Sequence, residues 1–199
     1  MKRRLPPILM TLVLVCALPI WAAFVTSGDV TNPLVCTAGA AEPSVPVEVR
    51  TADELQSNIT AGKSVKLTDN ITITSTLKIS SSLTLDLNGH VLKMTGSGSV
   101  LRVSGRATLT ITDSRPQNPH TGSYAGLPAG GVITGGKGTD AGGSVHSVGG
   151  AVFLENGTTL NLEGGTLTGN SSRGSVFING ATLVMSGGTI PGETFGVHN

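Results

Sequence analysis

The amino-acid sequence predicts an all-β protein whose short strands are wound into a three-sided stack of coils, a solenoid, with a short helix at its start. Two observations carry this prediction. The segments 149–170 and 173–192 repeat one pattern, in which Leu160 aligns with Leu183 at an offset of 23 residues. Apolar residues also alternate with polar ones in short runs separated by Gly, Asn and Ser. A fixed period of this size indicates units that bury their apolar faces against one another.

Residues 1–40 have the features of a signal peptide. Lys2-Arg3-Arg4 precedes an uncharged run from position 5 to 27, and Ala38-Gly39-Ala40 has the small-x-small form of a cleavage site. We therefore expect a protein that is secreted or held at the cell surface. The cleavage site lies far from the apolar run, so the sequence also allows the alternative that this segment stays uncleaved and anchors the protein in a membrane. That anchor would be the chain's one contact with a membrane.

The rest of the chain is close to neutral and has no cysteine. Three of the 13 Lys and Arg residues, one of the 12 acidic residues and both cysteines precede position 41, which leaves 10 basic against 11 acidic residues. This composition excludes disulfides and thiolate metal sites from the mature chain. The charge balance gives no reason to expect nucleic acid as a partner.

Two short segments are predicted to precede the stack. Residues 41–50 contain two prolines and are predicted to be an extended linker. Residues 51–62 are predicted to form an N-terminal capping helix, because Thr51-Ala-Asp-Glu54 is a capping box. Leu55 and Ile59 follow at i, i+4 and give this helix a narrow apolar stripe, which is suited to covering the open end of a sheet.

Residues 63–199 are predicted to form the stack itself, with three strands in each repeat and about six rungs. No helical segment recurs between the strands, which disfavours a βαβ fold or a leucine-rich horseshoe. Gly196-Val197 is typical of the start of a further strand, so we expect the stack to be C-terminally incomplete. The apolar positions of the predicted strands are Val65/Leu67, Ile71/Ile73, Leu77/Ile79, Leu83/Leu85/Leu87, Val91, Leu101/Val103, Leu109/Ile111, Val132/Ile133, Val152/Leu154, Leu160/Leu162, Val176/Ile178 and Leu183/Met185.

Several stretches share a pattern with a known group of proteins. They are Leu85-Asp86-Leu87-Asn88-Gly89-His90-Val91-Leu92, residues 109–114, residues 131–136 and the Gly-Gly-Thr-Leu/Ile repeats. Through them, residues 51–199 resemble the right-handed parallel β-helix proteins of bacterial surfaces, within the pectin lyase-like superfamily. The resemblance implies the fold. It leaves the function open, because that superfamily includes polysaccharide lyases, hydrolases, adhesins and surface proteins of no assigned activity.

If the protein is an enzyme of that kind, the candidate catalytic residues are Asp86, Asp113 and Arg102. The two aspartates are the acids in recurrent strand positions, 27 residues apart, and Arg102 lies between them in the chain. A structural interpretation competes with this one, since aspartates at strand-to-turn positions hydrogen-bond their own backbone. We favour the structural interpretation and predict no catalytic residue.

A calcium site is a further candidate. Gly135-Gly-Lys-Gly-Thr-Asp140 matches the first six positions of the calcium-binding nonapeptide of β-rolls, with Asp140 as the acidic ligand. The chain has one copy of this pattern, and Gly142 stands where a large apolar residue is needed. Such half-sites need a stacked partner. We therefore expect no metal or other cofactor.

Aromatic residues are the candidate ligand-binding groups. Phe153 and Phe177 occupy matching positions between inward residues, and His198 takes the corresponding place after Val197, so three rings are expected to form an outward column. The column is either a platform for a sugar or partner, or stacking that fixes register. Tyr124 is the natural anchor in the loop 114–131, which either binds a partner or is an unstructured excursion.

The expected function is a secreted or cell-surface scaffold that displays loops and one strand face for adhesion or glycan contact, without catalysis. The expected partner is a polysaccharide or a host cell-surface glycoprotein. One alternative is a polysaccharide lyase or glycoside hydrolase of the pectin lyase-like type. A second is a passive spacer for a missing C-terminal domain.

Overall fold

A computed structural model of the chain describes residues 45–140, 148–171, 173–191 and 196–198. Within these residues it has fifteen short strands, one α-helix and a turn of 3-10 helix at Gly122–Tyr124. The elements are β1 (Val47–Val49), α1 (Ala52–Thr60), β2 (Val65–Leu67), β3 (Ile71–Ile73), β4 (Leu77–Ile79), β5 (Leu83–Asp86), β6 (Val91–Met94), β7 (Leu101–Val103), β8 (Thr108–Thr112), β9 (Val132–Thr134), β10 (Val152–Leu154), β11 (Thr159–Leu162), β12 (Thr166–Leu167), β13 (Val176–Asn179), β14 (Thr182–Met185) and β15 (Gly196–His198).

The strands form three parallel sheets. The first sheet has the order β1-β2-β5-β8-β11-β14, the second β3-β6-β9-β12, and the third β4-β7-β10-β13-β15. With few exceptions, neighbours in a sheet are three strands apart in the chain, so each strand pairs with its equivalent in the next repeat. This mostly-β architecture with one helix is consistent with a three-sided parallel β-helix.

The predicted repeat register is confirmed. Strands β11 and β14 pair in parallel, with Leu160 opposite Leu183 and Leu162 opposite Met185. The column containing Leu162 continues to Ile111 on β8 and Leu85 on β5. Leu85, Ile111 and Leu162 are fully buried, whereas Met185 on the last strand of the first sheet is 45% exposed. Each such buried side chain stabilises the fold by roughly 1.5–3 kcal/mol.

The helix α1 begins at the predicted capping box. Thr51 Oγ1 accepts a hydrogen bond from the Glu54 backbone N–H at 3.2 Å. Glu54 Oε2 in turn accepts one from the Arg50 N–H at 2.9 Å. Leu55 and Ile59 are buried, and the helix contacts the first strands of all three sheets, namely β1, β3 and β4.

The segment predicted as a linker contains a strand. Strand β1 pairs with β2, with Val47 opposite Val65, and Val49 is buried in the core. Pro46 directly precedes this strand. A proline is tolerated there because β1 is the edge of the first sheet. The prolines therefore excluded a helix, as predicted, but did not exclude an edge strand.

Two insertions lengthen the chain between repeats. Thr110 on β8 is paired with Asn161 on β11, 51 residues later, whereas Leu160 and Leu183 are 23 residues apart. The inserted residues flank β9, in the loop 114–131 and in the stretch from 135 to 151. Within the described residues these insertions lie beside the second and third sheets, where the candidate site is found.

Some predictions concern residues outside the described ranges. Residues 1–40, predicted as a signal peptide, are among them, as are Gly142 and residues 192–195. Among the described residues, no helix combines the length and apolar character needed to cross a membrane.

Candidate functional site

Asp86 and Asp113 are bound to the backbone of their own turns. Asp86 ends β5, and its Oδ1 accepts hydrogen bonds from the backbone N–H groups of Asn88 at 2.8 Å and Ser114 at 2.9 Å. The second of these bonds joins the turn after β5 to the turn after β8. Asp86 therefore links adjacent repeats as well as holding its own turn.

Asp113 uses both carboxylate oxygens in the same way. Oδ1 accepts from the N–H groups of Gly89 at 2.7 Å and Arg115 at 3.2 Å. Oδ2 accepts from the Gly131 N–H at 2.6 Å. These contacts support the structural interpretation of the aspartates, because backbone donors occupy both oxygens of Asp113 and Oδ1 of Asp86.

Arg102 lies on a different sheet from the two aspartates. It belongs to β7 in the third sheet, and its Nε donates to Glu155 Oε1 at 2.6 Å. Its guanidinium carbon is 5.4 Å from the centre of the Phe153 ring. The structure thus pairs Arg102 with an acid and a ring that the sequence did not associate with it.

Phe153 and Phe177 stack, as predicted. Their ring centres are 5.0 Å apart at an interplanar angle of 36°, and their strands pair in register. The two rings are nevertheless only 4% and 3% exposed, because they form a small cluster with Val148, separate from the main core. They are buried under the insertion before β10 instead of lying open on the outer face.

The predicted position of His198 is wrong by two residues. Strands β13 and β15 pair with Phe177 opposite Gly196 and with Asn179 opposite His198. A shift of two residues preserves the period-two alternation of a strand, so the sequence pattern does not distinguish the two registers. The aromatic column therefore consists of Phe153 and Phe177 in the described residues.

Tyr124 lies back on the second sheet. Its hydroxyl is 3.4 Å from Thr72 Oγ1 on β3, and Lys93 Nζ on β6 is 5.8 Å from the centre of its ring. The same loop is fixed at its end by His120, whose Nε2 is 2.7 Å from the Gly130 carbonyl oxygen. Through these contacts Tyr124, which is half-buried, joins the loop to β3 and β6.

A groove lies beside the third sheet, at the start of β4 and β7. It has a volume of about 470 Å³. Three cationic side chains, three hydroxyl groups and Asp140 are among the groups that line it. This basic groove is formed by Thr76, Lys78, Ser97, Gly98, Arg102, Lys137, Gly138, Thr139 and Asp140.

The far wall of the basic groove is held by hydrogen bonds. The N–H groups of Lys137 and Gly138 both donate to the Gly98 carbonyl, at 2.9 and 3.1 Å. The hydroxyl groups of Ser99 and Thr139 are 2.8 Å apart. The segment predicted as a calcium half-site thus forms a wall of the groove through Lys137, Gly138 and Thr139, which are hydrogen-bonded to residues 98 and 99. In the part of the chain that the structure describes, no three His, Cys, Asp or Glu side chains are grouped so as to hold a metal ion.

The sequence reasoning missed the basic groove, although one sign of it was present. Lys78 and Arg102 occupy equivalent positions of β4 and β7 and are opposite each other in the sheet. Two cations at equivalent outward positions indicate a local positive charge. Lys137 could not be added from the sequence, because it reaches the groove through an insertion.

A second, smaller cleft is lined by acidic groups and glycines. It has a volume of about 320 Å³, and Asp113 and Glu163 lie in its walls. Asp113 is bonded to three backbone N–H groups there. This cleft is therefore less suited to a ligand than the basic groove.

Searches against protein-family models, curated proteins and solved structures find no match to this chain.

Proposed function

We propose that the chain is a right-handed parallel β-helix of the pectin lyase-like type, secreted or held at the cell surface, that contacts glycans without catalysis. The observation that carries the proposal is the basic groove, since it combines hydroxyl and cationic side chains on the face of a sheet. Rigid sheets with variable edges and loops are common platforms for binding sites. The expected partner is a polysaccharide or the glycan of a host cell-surface glycoprotein.

The size and lining of the basic groove support a saccharide ligand. Its volume of about 470 Å³ falls within the range of roughly 300–1,000 Å³ found for small-molecule sites. The hydroxyl groups of Thr76 and Ser97 can both donate and accept hydrogen bonds, as the hydroxyl groups of a sugar require, whereas that of Thr139 is bonded to Ser99. Lys78 and Lys137 are exposed and add donors at the rim.

The bonding of the aspartates supports a binding role over an enzymatic one. A glycoside hydrolase needs two carboxyl groups facing its substrate, one to donate a proton and one to act as base or nucleophile. Asp86 and Asp113 each accept at least two backbone N–H groups. Arg102, the third candidate, lies on the third sheet, whereas Asp86 lies on the first, and it is paired with Glu155.

Binding of the full chain to an array of neutral, carboxylated and sulfated polysaccharides tests this proposal. Wild-type protein should bind at least one glycan and release no saccharide fragments. The variant Lys78→Ala/Lys137→Ala should lose that binding. A matched variant of the first sheet and its preceding turn, Lys63→Ala/Lys66→Ala, should keep it.

Two outcomes would contradict the proposal. Release of fragments that stops in Asp86→Ala or Asp113→Ala would indicate the lyase or hydrolase alternative. Absence of binding to every glycan would favour the passive spacer. The extracellular location is tested separately, by N-terminal sequencing of the protein recovered outside cells, which should begin near Ala41.

A further inference from the structure

The basic groove has an excess of positive charge although the chain as a whole is close to neutral. Lys78, Arg102 and Lys137 line it together with one acid, Asp140. Glu155 pairs with Arg102 at the side. Three cations thus face two acids, which leaves one net positive charge. A cleft lined mainly by one sign of charge raises the local concentration of oppositely charged ligands.

Arg102 is held in one orientation. Its Nε donates to Glu155 Oε1 at 2.6 Å, and its guanidinium group lies against the Phe153 ring. The side chains of Arg102 and Glu155 are 41% and 33% exposed, so the ion pair contributes little to stability. Its main effect is to fix the guanidinium group at the edge of the groove before a ligand binds.

This arrangement reduces the number of two-nitrogen edges that the basic groove offers a planar carboxylate. A carboxylate is bound best by the two-nitrogen edge of an arginine. Of the two such edges of Arg102, the one that contains Nε is occupied by Glu155, which leaves the Nη1–Nη2 edge. The other cations of the groove are the ammonium groups of Lys78 and Lys137, which act as point charges, and the remaining donors are hydroxyl groups.

From these contacts we infer that the basic groove binds a sulfate ester carried by a glycan. A sulfate ester presents three oxygen atoms in a tetrahedral arrangement. They can accept from Lys78, Lys137 and the hydroxyl groups on several sides at once. The inference depends on the proposed function, because it names the class of glycan for the same groove.

The inference is tested with three polymers and the full chain, by titration calorimetry at low ionic strength. The probes are dextran sulfate, polygalacturonate and unmodified dextran, which carry sulfate esters, carboxylates and no charge, and the affinities of the two charged polymers are compared per mole of anionic group. Dextran sulfate should bind at least about tenfold more tightly than polygalacturonate, and this binding should weaken as salt is raised. Free sulfate should compete with it.

Charge-matched variants show whether dextran sulfate binds in the basic groove. Lys78→Gln/Lys137→Gln should weaken dextran sulfate binding by roughly tenfold or more, on the basis of about threefold to fivefold for each exposed charge. Lys63→Gln/Lys66→Gln removes the same number of charges elsewhere and should change it less than twofold. Circular dichroism should show the same fold for both.

The outcomes separate this inference from the proposed function. Equal or tighter binding of polygalacturonate, or equal losses in the two lysine variants, would overturn the sulfate inference. Binding of unmodified dextran that depends on the groove, without binding of dextran sulfate, would overturn it and leave glycan contact standing. Failure of all three polymers and of the wider array would contradict both.

Discussion

Asp113 Oδ2 accepts a 2.6 Å hydrogen bond from the Gly131 backbone N–H, although 18 residues separate the two in the chain. The other oxygen of this carboxylate accepts from Gly89, in the turn after β5. One side chain therefore joins the end of β8 to the start of β9 and to the preceding repeat. Closing the loop 114–131 in this way places Tyr124 on the second sheet.

Amide substitution should affect the two aspartates differently. Both oxygens of Asp113 accept hydrogen bonds from backbone N–H groups. In Asp113→Asn an NH₂ group would replace one of these oxygens, so that two donors would face each other. In Asp86→Asn, Oδ1 can still accept both of the bonds made by that atom. We expect Asp113→Asn to lower the free energy of unfolding by about 1–3 kcal/mol and Asp86→Asn by clearly less. Urea unfolding measures both, and equal losses would contradict this account.

Position 136 should require glycine, because the backbone of Gly150 passes close to it. A Cβ atom built there would overlap the carbonyl oxygen of Gly150. At Gly126 no atom lies within 4 Å of the added Cβ. Gly136→Ala should therefore cost roughly 1–3 kcal/mol or more, and Gly126→Ala should stay within about 0.5 kcal/mol of the wild type. Thermal and urea unfolding of the pair would test this, and a stable Gly136→Ala protein would count against the observed packing.

Shortening a side chain in the column that contains Leu160 should destabilise the protein more in the middle of the sheet than on its last strand. Leu160 is fully buried between Leu109 and Leu183, whereas Leu183 is only partly buried on β14. We expect Leu160→Ala to destabilise the protein by about 2–5 kcal/mol and Leu183→Ala by less than half as much. Denaturant titration of both variants gives the comparison. A larger loss at Leu183 would mean that the end of the column is covered.

His90 should make stability depend on pH. Burial lowers the pKa of His90 below its ordinary value of 6.5, and the positive charges of Arg115 and His120 add to this effect, while Asp69 and Asp113 oppose it. The unfolded chain therefore binds the proton more readily, and the stability contributed by neutral His90 is lost as pH falls below about 6.5. Between about pH 7.5 and 5.5, wild type should lose more unfolding free energy than His90→Gln. An equal loss in both would reject this role.

The sheets were predictable from the sequence because one repeat fixes many positions at once. Aligning Leu160 with Leu183 is enough to place their strands side by side, and the structure has that pairing. The position of His198 was not fixed in the same way, since registers that differ by two residues satisfy the same alternation. Strand β1 was missed because it precedes α1, outside the repeated pattern, and because Pro43 and Pro46 indicate a linker.

The candidate site was less predictable because insertions build much of it. Equivalent positions place Lys78 beside Arg102, but only the fold of the second insertion places Lys137 there. The same insertion brings Val148 over Phe153 and Phe177, which turns an expected surface into a buried cluster. Repeat patterns specify the sheets, and they carry no information on where an irregular segment lies.

The 51-residue interval between Leu109 and its partner Leu160 should affect the order in which the chain folds and the way it unfolds under force. The other neighbouring pairs in the first sheet close intervals of 18 to 26 residues, for example 23 between Leu160 and Leu183. Doubling a loop changes its closure entropy by only about 0.6 kcal/mol, so equilibrium is little affected. Docking across this junction should nevertheless come after winding on either side. When the molecule is pulled from its ends in an optical trap, we expect short, similar extension steps and one about twice as long.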